Sequence, residues 1–439
     1  MSGEPDFRYE GFRLDPGEWL LTCRYSLGPW NFAERISFGP EGRWDSPGVQ
    51  EAARLVFLLA GVSYYKTAAP GRIDLGDTPV SGTEREFLRR FYLDGLAEFA
   101  YKNDLDLTRL EFHGGSAPRP PAEPLDLPRG LLIPFGGGID SIVTVEWMRA
   151  ASDAALFVMS RPDNRFEAIE QPAAVTHLPV IRAGREIDPQ LLRSAELGFR
   201  NGHVPITGIL SAIAVMAGIL DGRSTVVMSN EWSASVATLE AGGRAINHQY
   251  SKSADFESGF RQVLAAAFGG RVSYFSALRP FTELWVARRF AALPQYHGTF
   301  RSCNKAFLID PARRLDHWCG QCDKCCFIDL ILAPFMPADE LAKVFGGAEP
   351  LASPALADRF RSLLGTAPVS KPFECVGEVG ECRAAVSLAA ARPDRASTAL
   401  LHTLAAELPP LAPSEVERLL RPVGEHAIPD AYAIDDLLV

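Results

Sequence analysis

From Leu131 onward the chain alternates short apolar runs with helical stretches, and this rhythm limits its fold more than any other feature. LLIPF (131–135), ALFVMS (155–160), PVIRA (179–183), STVVMS (224–229) and VSYFS (272–276) stand between segments of helical periodicity. Alternation of this kind implies parallel strands with helices on both faces. The expected architecture is α/β, with a doubly wound parallel-sheet core over residues 126–345. Before it, FRYEGFRL (7–14), EWLLTCRYSL (18–27) and NFAERISF (31–38) read as strands, followed by helical patterns at 48–59 and 84–101. Residues 1–125 are therefore expected to form an α+β domain, a candidate for substrate binding. The proline-rich stretch GSAPRPPAEPLDLPRG (115–130) marks the boundary. Residues 346–439 read as helical pieces separated by proline-rich breaks.

Of the 439 residues 47% are hydrophobic, enough for two or three domains that each bury a core. Charged residues make up 22%, which excludes wholesale disorder. A formal net charge of -10 argues against a nucleic-acid partner, which usually demands a basic footprint. The opening residues are polar, with Glu4, Asp6, Glu10 and Asp15, unlike a secretion signal. The longest apolar stretch, Ile206 to Leu220, is shorter than the roughly 20 residues that span a bilayer. Its many small residues suit a buried helix. Five of the eight cysteines fall between Cys303 and Cys326, a clustering that suggests metal binding and a cytoplasmic location. Small-molecule partners are expected, with neither nucleic acid nor membrane; nothing in the pattern fixes an oligomeric state.

Between the first apolar run of the core and the helical IVTVEWMRAA lies Ile133-Pro134-Phe135-Gly136-Gly137-Gly138-Ile139-Asp140-Ser141. Three glycines let the backbone turn tightly and bring its N–H groups against a phosphate. Ser141 lies where the helix begins, so helix N–H groups can also face an anion. Asp140 offers hard oxygens suited to magnesium. A plain glycine-rich turn is the competing reading. The segment matches neither GxxxxGK[ST] nor GxGxxG. It resembles the SGGxDS signature of PP-loop ATP pyrophosphatases, with Gly136 in place of the first serine, and that resemblance implies ATP as co-substrate.

Cys319, Cys322 and Cys325 are spaced Cys-x2-Cys-x2-Cys, with Cys303 upstream and Cys326 directly following. Cysteines two residues apart can point both thiolates at one tetrahedral ion. Zinc held by Cys303, Cys319, Cys322 and Cys325 is the expected arrangement, with Cys326 spare; an iron–sulfur cluster and buried free thiols are the alternatives. Spacing alone does not separate Cys325 from Cys326 as fourth ligand. A closed four-thiolate site would be structural.

Two wider resemblances cover much of the chain. Over 131–330, Arg301-Ser302-Cys303, CGQCDKC (319–325) and the preceding RPFTELWVARRFAAL are similar to the zinc-bearing tail of 7-cyano-7-deazaguanine synthases. Over nearly the full length the chain resembles the MurL family of epimerases. That likeness rests on LAGVSYYKTAAP (59–70), PFGGGIDS, NGHVPITGI (201–209), SNEWSA (229–234), NHQYSKSADFE (247–257), APFM (333–336) and KPFECVGE (371–378). It implies that ATP activates the terminal glutamate carboxylate of UDP-N-acetylmuramoyl-L-Ala-L-Glu as an acyl-adenylate. The α-centre is then inverted, and AMP and pyrophosphate leave.

Candidate residues follow from position. Asn230 and Glu231 come after STVVMS, at the carboxyl edge of the expected sheet, where ligands bind in such folds; a solvated loop acid is the bland reading of Glu231. His248, Ser251 and Lys252 open a helix and could contact phosphates or move a proton, as could His203 in NGHVP; ordinary polar loops explain them almost as well. Arg301 and Lys305 flank the first zinc cysteine and could approach a triphosphate, or be solvated charges. Cys375 is a candidate α-carbon base, or a buried structural thiol. The competing function is a PP-loop adenylating ligase or amidotransferase, which would deliver ammonia or sulfur; a non-catalytic zinc and nucleotide-binding module is a third.

Overall fold

The apolar runs after residue 129 pair as parallel strands, and the strands nearer the N-terminus join the same sheet. The computed structural model describes residues 5–118, 124–150, 153–366 and 371–432. Part of the proline-rich boundary at 115–130 lies outside these residues. In chain order the strands are β1 (Phe7–Asp15), β2 (Leu20–Leu27), β3 (Trp30–Ser37), β4 (Arg72–Asp74), β5 (Glu111–His113) and β6 (Arg129–Pro134). Then come β7 (Ala154–Ser160), β8 (Val180–Glu186), β9 (Arg223–Met228), β10 (Leu239–Ala241), β11 (Arg244–Ile246) and β12 (Ser273–Ser276). Ten of them form one sheet in the order β12-β9-β6-β7-β8-β3-β2-β1-β4-β5, while β10 and β11 make a separate hairpin.

β12, β9, β6, β7 and β8 run parallel. β3 pairs antiparallel with β8, Arg35–Ser37 lying against Gly184–Glu186. Regions 1–125 and 126–345 thus share a continuous sheet. Their seam carries a buried ion pair, Arg185 donating to Glu34 at 2.7 and 3.1 Å, and an Ala33 N–H donated to Asp188 at 2.9 Å.

Alternation along each strand sorts side chains between two cores. Leu131, Ile133, Leu156, Val158, Val227 and Phe275 face one layer, with the helices Ile139–Met148, Glu283–Ala291 and Asp323–Leu332. Leu132, Ala155, Phe157, Val226 and Tyr274 face the other, with Gly48–Ala60, Ile206–Asp221 and Ala254–Phe268. Ile206–Asp221 is the buried helix its small residues suggest. The helical pattern at 84–101 is two helices, Gly82–Leu93 and Ala97–Lys102. They part at Gly95, where an added Cβ would lie 2.3 Å from the Phe91 carbonyl oxygen.

The core strands run outward in two directions from β6: through β7 to β8 on one side, through β9 to β12 on the other. Connections after β6 and after β9 therefore diverge and leave a crevice at the carboxyl ends of those strands.

Candidate active site

A cavity of about 400 Å³ occupies that crevice, lined among others by Gly136, Gly138, Asp140, Ser141, Asn230, Lys252, Arg301, Lys324 and Cys375. Gly137 adopts φ +75°, and a Cβ there would stand 2.3 Å from the Ala168 carbonyl oxygen. Glycine is required twice over, by conformation and by space. The turn delivers the chain into the Ile139–Met148 helix, whose first N–H groups have no helical acceptor. Ser141 Oγ donates to the Gly138 carbonyl at 3.0 Å, and the Arg301 N–H donates to the Gly137 carbonyl at 3.4 Å. The loop is thus fixed in shape at the floor of the cavity.

Beside it Asp140, Glu231 and Glu283 bring carboxylate oxygens within 4.8 Å of one another. One oxygen of each is buried with no hydrogen-bond partner. Three carboxylates this close repel, and burial followed by the charge of Glu231 raises Asp140 to about 6. Burial, then Asp140 and Glu231, hold Glu283 well above the usual carboxylate range. Orphaned hard oxygens converging on one point are of the kind that could hold a divalent cation such as magnesium. Glu283 escapes the sequence reading because it opens a helix 52 residues after Glu231, inside a segment noted only for its resemblance. Thr282 caps that helix through the Trp285 N–H, which fixes the direction of Glu283.

Arg279 braces the arrangement. It donates to the Glu231 carbonyl at 2.9 Å and to the Lys252 carbonyl at 2.6 Å, and pairs with buried Glu257 at 2.9 Å. Asn230 donates from Nδ2 to Ser276 Oγ at 3.1 Å, tying the loop after β9 to the end of β12.

The four proton-transfer candidates converge from distant parts of the chain. Lys252 and Cys375 line the cavity. Burial opposes the Lys252 charge, but Cys375, Glu231, Asp140 and Glu283 outweigh it and raise its pKa. Burial pushes the Cys375 thiol up; Lys252, His248 and Lys324 overcome this and bring it down to about 7. Lys324 also donates to the Cys375 carbonyl. Behind Cys375 lie His248 and His203, their rings 4.3 Å apart. His248 Nδ1 bonds to Glu98, a residue the sequence reading missed because nothing in its helical context marks it. Burial pulls His248 down, yet hydrogen bonding to Cys375 and Glu98 raises it to about 9. Burial and the neighbouring His248 charge lower His203 to about 4.

Cys303, Cys319, Cys322 and Cys325 bring their sulfurs within 4.8 Å of one another. Separations of 3.7 Å (Cys319 to Cys325) and 3.5 Å (Cys322 to Cys325) approach the edge of about 3.8 Å for a tetrahedron with metal–sulfur bonds near 2.3 Å. Cys326 is buried in the core and does not join this group. Ser302 and Asn304, either side of Cys303, line the cavity, so the cluster anchors one of its walls. Lys305 is exposed and absent from that lining. Its backbone serves Cys303 instead, while Arg301 does line the cavity, together with Lys324 and Lys252. Ser251 is buried in the turn preceding Lys252 and is also absent from the lining.

Fold and cavity together are those of an α/β enzyme working at the carboxyl edge of its sheet. The family model for the MurL N-terminal domain matches residues 2–277, and that for the MurL C-terminal domain matches 299–419. The chain belongs to the MurL family. Three similar proteins are each named UDP-N-acetyl-alpha-D-muramoyl-L-alanyl-L-glutamate epimerase. One, from Xanthomonas oryzae pv. oryzae, is 38% identical over 97% of this chain and 95% of its own length. One from Salinispora tropica is 42% identical over 76% of this chain and 72% of its own. A Micromonospora protein is 39% identical over 86% and 84%. Among the described residues no helix is long and apolar enough to cross a membrane.

Proposed function

We propose that the protein inverts the terminal L-Glu of UDP-N-acetylmuramoyl-L-Ala-L-Glu to D-Glu, using ATP to form an acyl-adenylate and releasing AMP and pyrophosphate, as a PP-loop enzyme of the cytoplasm. The names of its relatives support the substrate. The observation that carries the mechanism is a single cavity lined by a glycine loop at a helix N-terminus, by Asp140 and by Lys252 and Cys375, with the buried carboxylates of Glu231 and Glu283 converging on Asp140.

A free carboxylate resists α-deprotonation because the product would be a dianion. Conversion to a mixed anhydride with AMP removes that charge; if the α-proton becomes more acidic by on the order of ten units, the gain is about 14 kcal/mol. Gly136, Gly137, Gly138 and Ser141 offer N–H groups to the departing pyrophosphate, with Arg301, Lys324 and Asn230 around it. Asp140, Glu231 and Glu283 would hold magnesium, which neutralises charge on the phosphates. Cys375 takes the α-proton, the Lys252 ammonium returns one on the opposite face, and water then cleaves the acyl–phosphate bond to restore the carboxylate and release AMP. Cys303, Cys319, Cys322 and Cys325 would hold a structural zinc ion; sulfurs this close enclose one ion and leave no room for a multi-iron cluster between them.

Incubation in deuterium oxide tests the whole. The D-glutamyl product is expected to carry one deuterium at Cα, dependent on ATP and magnesium, and amidation of the α-carboxylate should stop both exchange and AMP release. Exchange that runs equally well without ATP would rule out activation by adenylation. A ligase would leave Cα untouched.

A further inference from the structure

Glu98 belongs to none of the motifs behind the phosphate-loop reading, yet it ends a chain of polar contacts leading to the cavity. It sits on the Ala97–Lys102 helix, 4% exposed, and accepts hydrogen bonds from Lys102 Nζ and His248 Nδ1. A carboxylate so placed fixes both the orientation and the protonation of an imidazole. With Nδ1 spent on Glu98, Nε2 is the nitrogen left to act on Cys375, whose thiol His248 helps bring down.

We propose that Glu98 is a positioning residue for the inversion: it holds His248 as an imidazolium facing the Cys375 sulfur, so that Cys375 meets the glutamyl α-carbon as a thiolate. This rests on the reading that the enzyme inverts an activated glutamyl carbon. In that step the Cα–H bond breaks, its proton passes to sulfur, and the electron pair moves into the activated carbonyl. The Lys252 ammonium then supplies the proton for the new Cα–H bond, and exchange with solvent resets both groups.

The charges around the chain agree with this direction. Cys375 faces Lys252, Lys324 and His248. His248 faces Glu98 and Cys375, with Glu374 also sensing its charge. His203 approaches Glu98 at 4.0 Å, and Lys102 and Lys66 add to the positive field that keeps it neutral. A neutral His203 can stack on His248 without competing for the carboxylate as a cation. By contrast Cys382 and Cys326 are fully buried, and burial pushes both thiols up.

The test compares the wild-type protein with Glu98→Gln and Glu98→Asp. Alkylation of Cys375 by iodoacetamide, followed peptide by peptide across pH, reads the thiolate without needing ATP or substrate. Removing the carboxylate should let His248 lose its proton earlier and raise the alkylation midpoint by about one unit or more. Glu98→Asp should restore part of the shift. In parallel, the ratio of Cα deuterium incorporation to pyrophosphate–ATP exchange should fall about tenfold or more in Glu98→Gln. If Glu98→Gln does not fold, His248→Gln must raise the same midpoint. An unmoved midpoint, or an unchanged ratio, overturns the proposal. Absence of pyrophosphate exchange in wild type would instead overturn the adenylation reading, and the alkylation profile would still judge the role of Glu98.

Discussion

The four cysteines and the three carboxylates reach the same cavity only at their margins, through Ser302 and Asn304 beside Cys303 and through Asp140, and are built on opposite plans. The thiol group is nearly all local: three of its members lie within seven residues, and the fourth is brought in by one turn of loop. The carboxylates come from three separate elements, Asp140 after β6, Glu231 after β9 and Glu283 after β12. Soft thiolates crowded together are stable when a cation joins them, and a group so joined would brace the fold. The carboxylates are held apart from solvent by a scaffold that does not need them, at a cost in repulsion. One group should therefore govern stability and the other turnover.

Zinc gives the largest effect. Purified protein should contain about one zinc and no iron chromophore. Cys322→Ser should lower solubility and melting temperature severely, since structural zinc sites contribute on the order of 10 kcal/mol to folding. A stable, fully active Cys322→Ser protein would erase the contrast.

Next is Arg279, which carries the scaffold around the carboxylates. Arg279→Met leaves Glu257 as a buried unpaired charge and frees two loop carbonyls, so denaturant melts should show a loss of about 3–5 kcal/mol. A loss below about 1 kcal/mol would mean that the loops bearing Glu231 and Lys252 are held by other contacts.

The smallest stability effect, with the greatest loss of function, is expected at the carboxylates. Asp140→Asn should abolish ATP turnover while the metal-free protein melts no lower than wild type. The folded-state pKa of Asp140 is raised from 3.8 to about 6, so the native state binds more protons between those values. Stability of the metal-free wild type should consequently fall, relative to Asp140→Asn, as pH rises through that window. Magnesium should close the gap at neutral pH and have no effect below about pH 4, where the native carboxyl is protonated. A gap that persists with magnesium at neutral pH would place the cation elsewhere.

The same contrast explains what could be read in the sequence. The apolar runs of β6, β7, β9 and β12 announce their strands because burial on both faces leaves short hydrophobic stretches. By contrast β8, mostly half-buried and carrying Arg182 and Arg185, shows only the shorter run at its start. Cys319, Cys322 and Cys325 announce their cluster by spacing, and Gly136 to Ser141 by position between strand and helix. Glu283 and Glu98 give no such signal, for an acid at a helix start or on a short helix has a local explanation. Their neighbours are set by strand order, which no local pattern encodes. The continuity of the sheet through β3 and β8 was hidden for the same reason, since it rests on a pairing across about 150 residues of chain.

That pairing has a consequence for any attempt to divide the protein. A fragment beginning at residue 126 would leave β8 as an open edge strand, its N–H and C=O groups unpaired along Gly184–Glu186 and Arg185 without its carboxylate. Such edges recruit strands from other molecules. The N-terminal strands thus shield the edge of the parallel strands, and the excised fragment should aggregate more readily than the whole chain.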